Sequence, residues 1–308
     1  MSAYAQTLET DRRLLWGLCY RMTGNAADAD DLVQETFVRA IEKPPRRQDE
    51  PLRPWLVRVA INLSRDLLRR RRRQAYLGPW LPSPVPTEEG SPASYEPPAP
   101  GKDSPVARYD LKESLSFAFL VALEALTPSQ RAVLLLRDVF DYSTRETAEA
   151  LDMTEANVKV LLLRARRKMK EYDKSRADLT PERREATRRA LEQFLIYLQT
   201  RDAEGLERLL AEDVISISDG GFEANAARKP VRGRNNVLRL ILGLAAKSQV
   251  EPRFAIRVLN GLPSILVEDV RSVTTGAIRY TIHFEVDDAG RIRGLHAVVA
   301  PSKLTAVR

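Results

Sequence analysis

One cysteine, two histidines and only 6% aromatic residues in 308 put several chemistries out of reach. Cys19 alone cannot build an intrachain disulfide framework, which suits a reducing cytoplasm. Set in the apolar stretch 14–20, it reads as a buried structural thiol. His283 and His296 are the only imidazoles, so a Cys/His zinc centre is excluded and neither metal nor cofactor is expected. The opening MSAYAQTLETDRR has no basic segment followed by an apolar one, so no signal peptide is expected. No run approaches ~18 apolar residues, so no transmembrane helix and no membrane partner are expected.

What is there is charge. Charged residues make up 30% of the chain and the net charge is +7. Lys and Arg gain affinity for phosphate by displacing counterions, so the excess points to a polyanionic partner. The length suits two or three domains. Residues 7–75 read as successive helices, with Leu14, Leu15 and Leu18, then Leu32, Val33, Phe37 and Ile41, then Trp55, Leu56, Val59, Ile61 and Leu63 at helical spacing. Residues 76–107 form a Pro-rich linker, with nine prolines between 76 and 106. Its YLGPWLPSP segment (76–84) carries aromatic and leucine residues that a bare spacer lacks, which suggests docking.

Residues 108–173 are helical again. Thr127-Pro128-Ser129-Gln130 and Ser143-Thr144-Arg145-Glu146 are capping boxes, and Thr154 caps a further helix. From 180 to 308 the pattern changes class. Helices over 181–200, 203–210 and 234–246 accompany β-type runs at 214–218, 254–259, 264–270, 273–284 and 291–299. This predicts an α+β domain with a curved antiparallel sheet.

Three segments carry the functional signal. TRETAEALDMTEANVKVLLLRARRKMKE (144–171) reads as a helix-turn-helix with Ala148, Leu151, Val158 and Leu161 as its core. Asp152 lies in the turn, where a left-handed backbone is expected. Glu155, Ala156, Asn157 and Lys159 would face the major groove, followed by Arg164, Arg166, Arg167 and Lys168 near phosphate. Arg69–Arg73 are five consecutive arginines ending a helix that carries Arg58, Asn62, Arg65 and Asp66, more cations than a helix C-terminus needs. ADADDLVQETFVRAI (27–41) presents Asp28, Asp31, Gln34 and Glu35 opposite its apolar face, as ordinary solvated surface or as a dock for a basic partner.

Together these segments resemble the extracytoplasmic-function sigma factors. DLVQETF (31–37) is similar to the region 2 helix that docks on polymerase. PWLVRVAINLSRDLLRRRRR (54–73) is similar to the helix that melts and reads the minus-ten element, and 126–169 to region 4, which reads the minus-thirty-five element. The resemblance implies core RNA polymerase (beta and beta-prime subunits) and promoter DNA as partners. It places Asp31, Gln34 and Glu35 at the polymerase, and Arg58, Asn62, Arg65, Asp66 and Arg69 near the minus-ten element. Glu155, Asn157, Lys159 and Arg164 fall at the minus-thirty-five element. Where family recognition helices often carry a small residue, this chain has Asn157.

The remainder resembles a subgroup with a SnoaL-like C-terminal domain, a cone-shaped α+β fold that regulates in cis. Trp80-Leu81-Pro82-Ser83-Pro84, Asp219-Gly220-Gly221-Phe222 and Ala300-Pro301-Ser302-Lys303-Leu304 correspond to the subgroup's motifs, with Ser83, Phe222 and Ala300 as departures. The resemblance implies that Trp80, Leu81 and Pro82 pack near Asp219, Gly220 and Gly221, and it admits a small-molecule ligand in the pocket. Asp219, His283, Glu285 and His296 are the acid–base candidates there, or else structural polar residues. No spacing among them is diagnostic, so no enzyme is expected. Two rival readings stay open: a helix-turn-helix regulator acting without polymerase, and a SnoaL-like enzyme.

Overall fold

The computed structural model describes residues 3–43, 52–73, 76–87, 108–176, 180–247, 253–269 and 278–307. The stretches 88–107 and 270–277, on which part of the Pro-rich linker and part of the run at 273–284 fall, lie outside the described residues. The chain divides into two units. One joins residues 1–75 to 87–177; the other joins 76–86 to 178–308.

The first unit is helical. Helices α1 (Ala3–Thr23), α2 (Ala26–Glu42) and α3 (Leu52–Arg73) pack mutually. Gly24 at φ 64° turns the chain, and the Asn25 side chain caps α2 by accepting from the Asp28 N–H at 3.2 Å. Buried Leu15, Leu18, Cys19, Met22, Val33, Leu56 and Ile61 form the core of this bundle. Ile41, expected on the apolar face of α2, is instead 67% exposed. The buried stripe of α2 runs through Leu32, Val33, Thr36, Phe37 and Ala40, and the 100° step between neighbours turns Ile41 off it.

Helices α4 (Phe117–Leu123), α5 (Pro128–Asp138), α6 (Thr144–Leu151) and α7 (Glu155–Ser175) complete the unit. Thr127 with Gln130 and Ser143 with Glu146 close both expected capping boxes. Asp152 ends α6 in the left-handed conformation at φ 52°, and Thr154 caps α7. The core of the pair uses Ala148, Leu151 and Val158 as expected. Leu161 is only half-buried, and Ala165 and Met169 continue the buried stripe.

Two buried arginines join these helices. Arg131 donates to Met22 O and Leu123 O, both at 2.7 Å, and to Glu124 at 2.5 Å. One guanidinium thereby satisfies carbonyls at the C-termini of both α1 and α4. Arg21 donates to Ser114 Oγ at 2.7 Å and to Gly17 O and Leu111 O at 2.9 Å. Burial lowers its pKa to about 10, so it stays charged at neutral pH.

The second unit begins with α8 (Pro181–Thr200) and α9 (Ala203–Leu209). Strands β1 (Leu210–Asp219), β2 (Val231–Arg232), β3 (Arg253–Leu259), β4 (Leu262–Asp269), β5 (Ile278–Val286) and β6 (Ile292–Val298) follow, with α10 (Arg234–Lys247) between β2 and β3. The sheet order is β2-β1-β6-β5-β4-β3. It is mixed rather than wholly antiparallel, because β1 and β6 pair in parallel. The hairpins β3–β4 and β4–β5 are local, whereas β6 is antiparallel to β5 and meets β1 only after the whole intervening chain. Asn260 and Gly261, both at positive φ, make the two-residue turn from β3 to β4. One sheet face, with Ile265, Val267, Phe284 and Val286, packs on Leu191 and Phe194 of α8 and Val237 of α10.

Candidate functional site

On α2, Asp31, Gln34 and Glu35 are all exposed. Their acidic neighbours are committed inside the unit, Asp28 to Arg71 and Asp30 to the Trp16 indole N–H at 2.8 Å. Asp28 thus does not belong to the open acidic face expected for it. Glu35 pairs with Arg39 at 2.9 Å across one helical turn. Val38 and Ile41 continue the exposed stripe as apolar residues, and Val38 was not singled out from the sequence.

The cations of α3 divide into two groups. Arg58, Arg69, Arg70 and Arg73 are exposed, and Arg69 pairs with Asp66 at 2.8 Å. Asn62 and Arg65 are half-buried, and Arg65 donates to Asn62 Oδ1 and Ser129 Oγ, both at 3.2 Å. Burial and nearby Arg69 lower the Arg65 pKa. Arg71 donates to Thr23 O at 3.0 Å, and Arg72 donates to Leu126 O. These two of the five consecutive arginines serve carbonyls at the ends of helical segments, a role the run of cations did not disclose.

On α7, Glu155, Asn157, Lys159 and Arg164 all project to solvent. Arg166 instead forms a fork on buried Asp138 at 2.9 and 2.6 Å, and Lys168 donates to Ala125 O at 2.8 Å. Both thus have partners within the unit, while Arg167 and Lys168 are exposed.

In the second unit, residues 76–86 are fastened around Asp219 at the end of β1. The carboxylate accepts from Tyr76 Oη at 2.5 Å, Leu81 N–H at 2.7 Å and Gly221 N–H at 3.1 Å. Lys303 Nζ lies 2.6 Å from Asp219 Oδ2 and donates to Leu81 O at 2.6 Å. Its ammonium is 4.3 Å from the Trp80 ring centroid and 5.0 Å from that of Tyr76. Asp219 and Lys303 are both buried. A Cβ on Gly220 would lie 2.4 Å from Ala224 O, and Gly221 has φ 54°, so both positions demand glycine. Pro82 and Ser83 are buried. Further along, Val85 N–H donates to Asn260 Oδ1 at 3.1 Å and Asn260 N–H to Val85 O at 2.9 Å. Tyr76, Asn260 and the ionic role of Lys303 were not read from sequence. The basic residue inside 300–304 was the available signal.

The other acid–base candidates lie elsewhere on the sheet. His283 is paired in register with Ser264 and His296, and its Nδ1 lies 2.8 Å from Ser264 Oγ. Burial lowers its pKa to about 3. His296 is also held down by burial, opposed by Glu285, whose Oε1 lies 3.9 Å from His296 Nδ1. Asp219 already meets Tyr76, Leu81, Gly221 and Lys303. Among the described residues, no cluster of metal-ligating side chains occurs, and no helix is long and apolar enough to cross a membrane.

Family models for Sigma-70 region 2 and Sigma-70 region 4 match residues 8–74 and 116–169. The chain is 34% identical over 243 residues to the ECF RNA polymerase sigma factor SigJ of Mycobacterium tuberculosis, covering 78% of this chain and 72% of SigJ. It is 37% identical over 218 residues to SigG of the same species, covering 67% of this chain and 59% of SigG. The crystal structure of M. tuberculosis SigJ is similar with a TM-score of 0.71 and 26% identity, covering 98% of each chain.

Proposed function

The chain belongs to the ECF RNA polymerase sigma factors, and from that premise we propose that it binds core polymerase in the cytoplasm and directs initiation at its own promoters. The exposed set Asp31, Gln34 and Glu35 is the polymerase dock. Arg58, Asn62, Arg65, Asp66 and Arg69 serve the minus-ten element, and Glu155, Asn157, Lys159 and Arg164 the minus-thirty-five element. The work is positioning and electrostatic, and no covalent step by the chain is needed. The observation that carries the reading is the α2 face. Asp28 is paired with Arg71 and Asp30 accepts from Trp16 within the unit, while Asp31, Gln34 and Glu35, the last beside Arg39, line the outward side of a helix in a net-basic protein.

The second unit acts in cis through residues 76–86. This segment lies in the chain between the two matched sigma regions, so holding or releasing it changes the free length joining them, and with it their effective concentration for one promoter. The Asp219–Lys303 pair supports this reading because it fixes the segment by buried, charge-assisted hydrogen bonds.

Capture of purified core polymerase tests the dock. The wild-type chain is expected to retain it, and a triple alanine variant at Asp31, Gln34 and Glu35 to lose it. Equal retention by both would remove α2 as the dock. Retention by neither, while duplex DNA still binds, would favour a helix-turn-helix regulator.

A further inference from the structure

The first half of α7 carries two exposed apolar side chains on the side turned away from its own core. Val158, Ala165 and Met169 mark the buried side. At 100° per residue, Ala156, Val160, Leu163 and Arg167 fall within ~60° of arc on the opposite side. Val160 is 46% exposed and Leu163 63% exposed. Lys159 flanks this stripe on one side, Arg164 and Asn157 on the other, and all three are exposed. A solvated helix surface ordinarily carries polar residues along such a line. Here two branched apolar side chains stand in the middle of a cationic frame.

That pairing of chemistries selects an occupant. The cations fit a polyanion. Within a duplex major groove, the apolar group displayed on the base edges is the thymine C5-methyl. A protein partner for the same stripe would leave Lys159, Arg164 and Arg167 to be neutralised by acidic residues, whereas DNA supplies phosphates on both walls of the groove. We propose that Val160 and Leu163 determine part of the promoter specificity by packing against thymine methyl groups, with the flanking cations holding the strands. The inference rests on reading the helical unit as DNA-facing and adds to it two residues and the base feature they read.

The test uses the full chain with core polymerase. A promoter is selected from a randomised duplex library, and each thymine of its upstream element is replaced in turn by deoxyuridine, which lacks only the methyl. Binding and initiation are both measured. Wild type is expected to lose about fourfold in affinity at one or two thymine positions, the weight of one buried methyl. Val160→Ala and Leu163→Ala should each abolish the discrimination at one of those positions. Both side chains project to solvent and alanine favours helix, so the variants keep α7. Equal binding to thymine and uracil promoters by wild type, or unchanged discrimination in both variants, overturns the proposal. Initiation by wild type in that case leaves the sigma reading standing; absence of initiation together with methyl-blind binding removes both.

Discussion

At the scale of single residues, Lys303 carries an unusual burden. Its ammonium is buried and meets Asp219, the Leu81 carbonyl and two aromatic faces. Removing one partner of such a pair leaves an uncompensated charge in the interior, at a cost of about 3–5 kcal/mol. Lys303→Met is therefore expected to destabilise the second unit and to loosen residues 76–86. Limited chymotrypsin digestion reads this as new cleavage at Tyr76 and Trp80. The double variant Lys303→Met/Asp219→Asn should recover part of the loss, since neither buried charge remains. Undiminished protection in the single variant would show that Asn260 and the apolar contacts hold the segment without the ion pair.

At the scale of elements, the turn between α6 and α7 is set by one residue in a costly conformation. Asp152 occupies left-handed space, which costs most L-residues about 1–2 kcal/mol, Asp and Asn less, and glycine nothing. Its side chain is exposed, so replacement removes no packing. Asp152→Gly is expected to stabilise the helix-turn-helix by roughly 0.5–1 kcal/mol, and Asp152→Val to destabilise it by more. Urea midpoints of the three proteins, followed by helical circular dichroism, give the order directly. A midpoint for Asp152→Gly at or below wild type would mean that the aspartate contributes a compensating interaction.

At the scale of the whole molecule, the two units should answer differently to acid. Both histidines of the chain lie in the second unit. Both are neutral in the fold, His283 with its pKa near 3 and His296 shifted in the same direction by burial. An unfolded histidine titrates near ~6.5. The unfolded state therefore takes up protons first, and stability present above pH ~6.5 is lost as pH falls toward the folded values. Each fully shifted histidine contributes a slope of about 1.4 kcal/mol per pH unit. Between about pH 6.5 and 5, where carboxylates remain largely ionised, hydrogen exchange should quicken in β4, β5 and β6 while α5 and α7 hold their protection. Parallel changes in both units would assign the acid response to carboxylates instead.

What the sequence by itself determined is local and periodic. The capping boxes, the left-handed Asp152 and the helix ranges after 180 follow from side chains acting within one or two turns, and the two sigma regions were read as a resemblance carried by such local segments. The exposed identities of Asp31, Gln34, Glu35, Asn157 and Lys159 follow from the same periodicity. The tertiary structure decided what depends on partners far along the chain. It spent Arg71 and Arg72 on distant carbonyls and seated Arg65 against Ser129. It also made β1 and β6 parallel neighbours and brought Lys303 to Asp219 and Leu81. A run of arginines has the same composition whether it meets solvent or carbonyls. A lysine 84 residues from its carboxylate has no local pattern at all. Those assignments are made only when folding desolvates a charge and the chain must supply its counterpart.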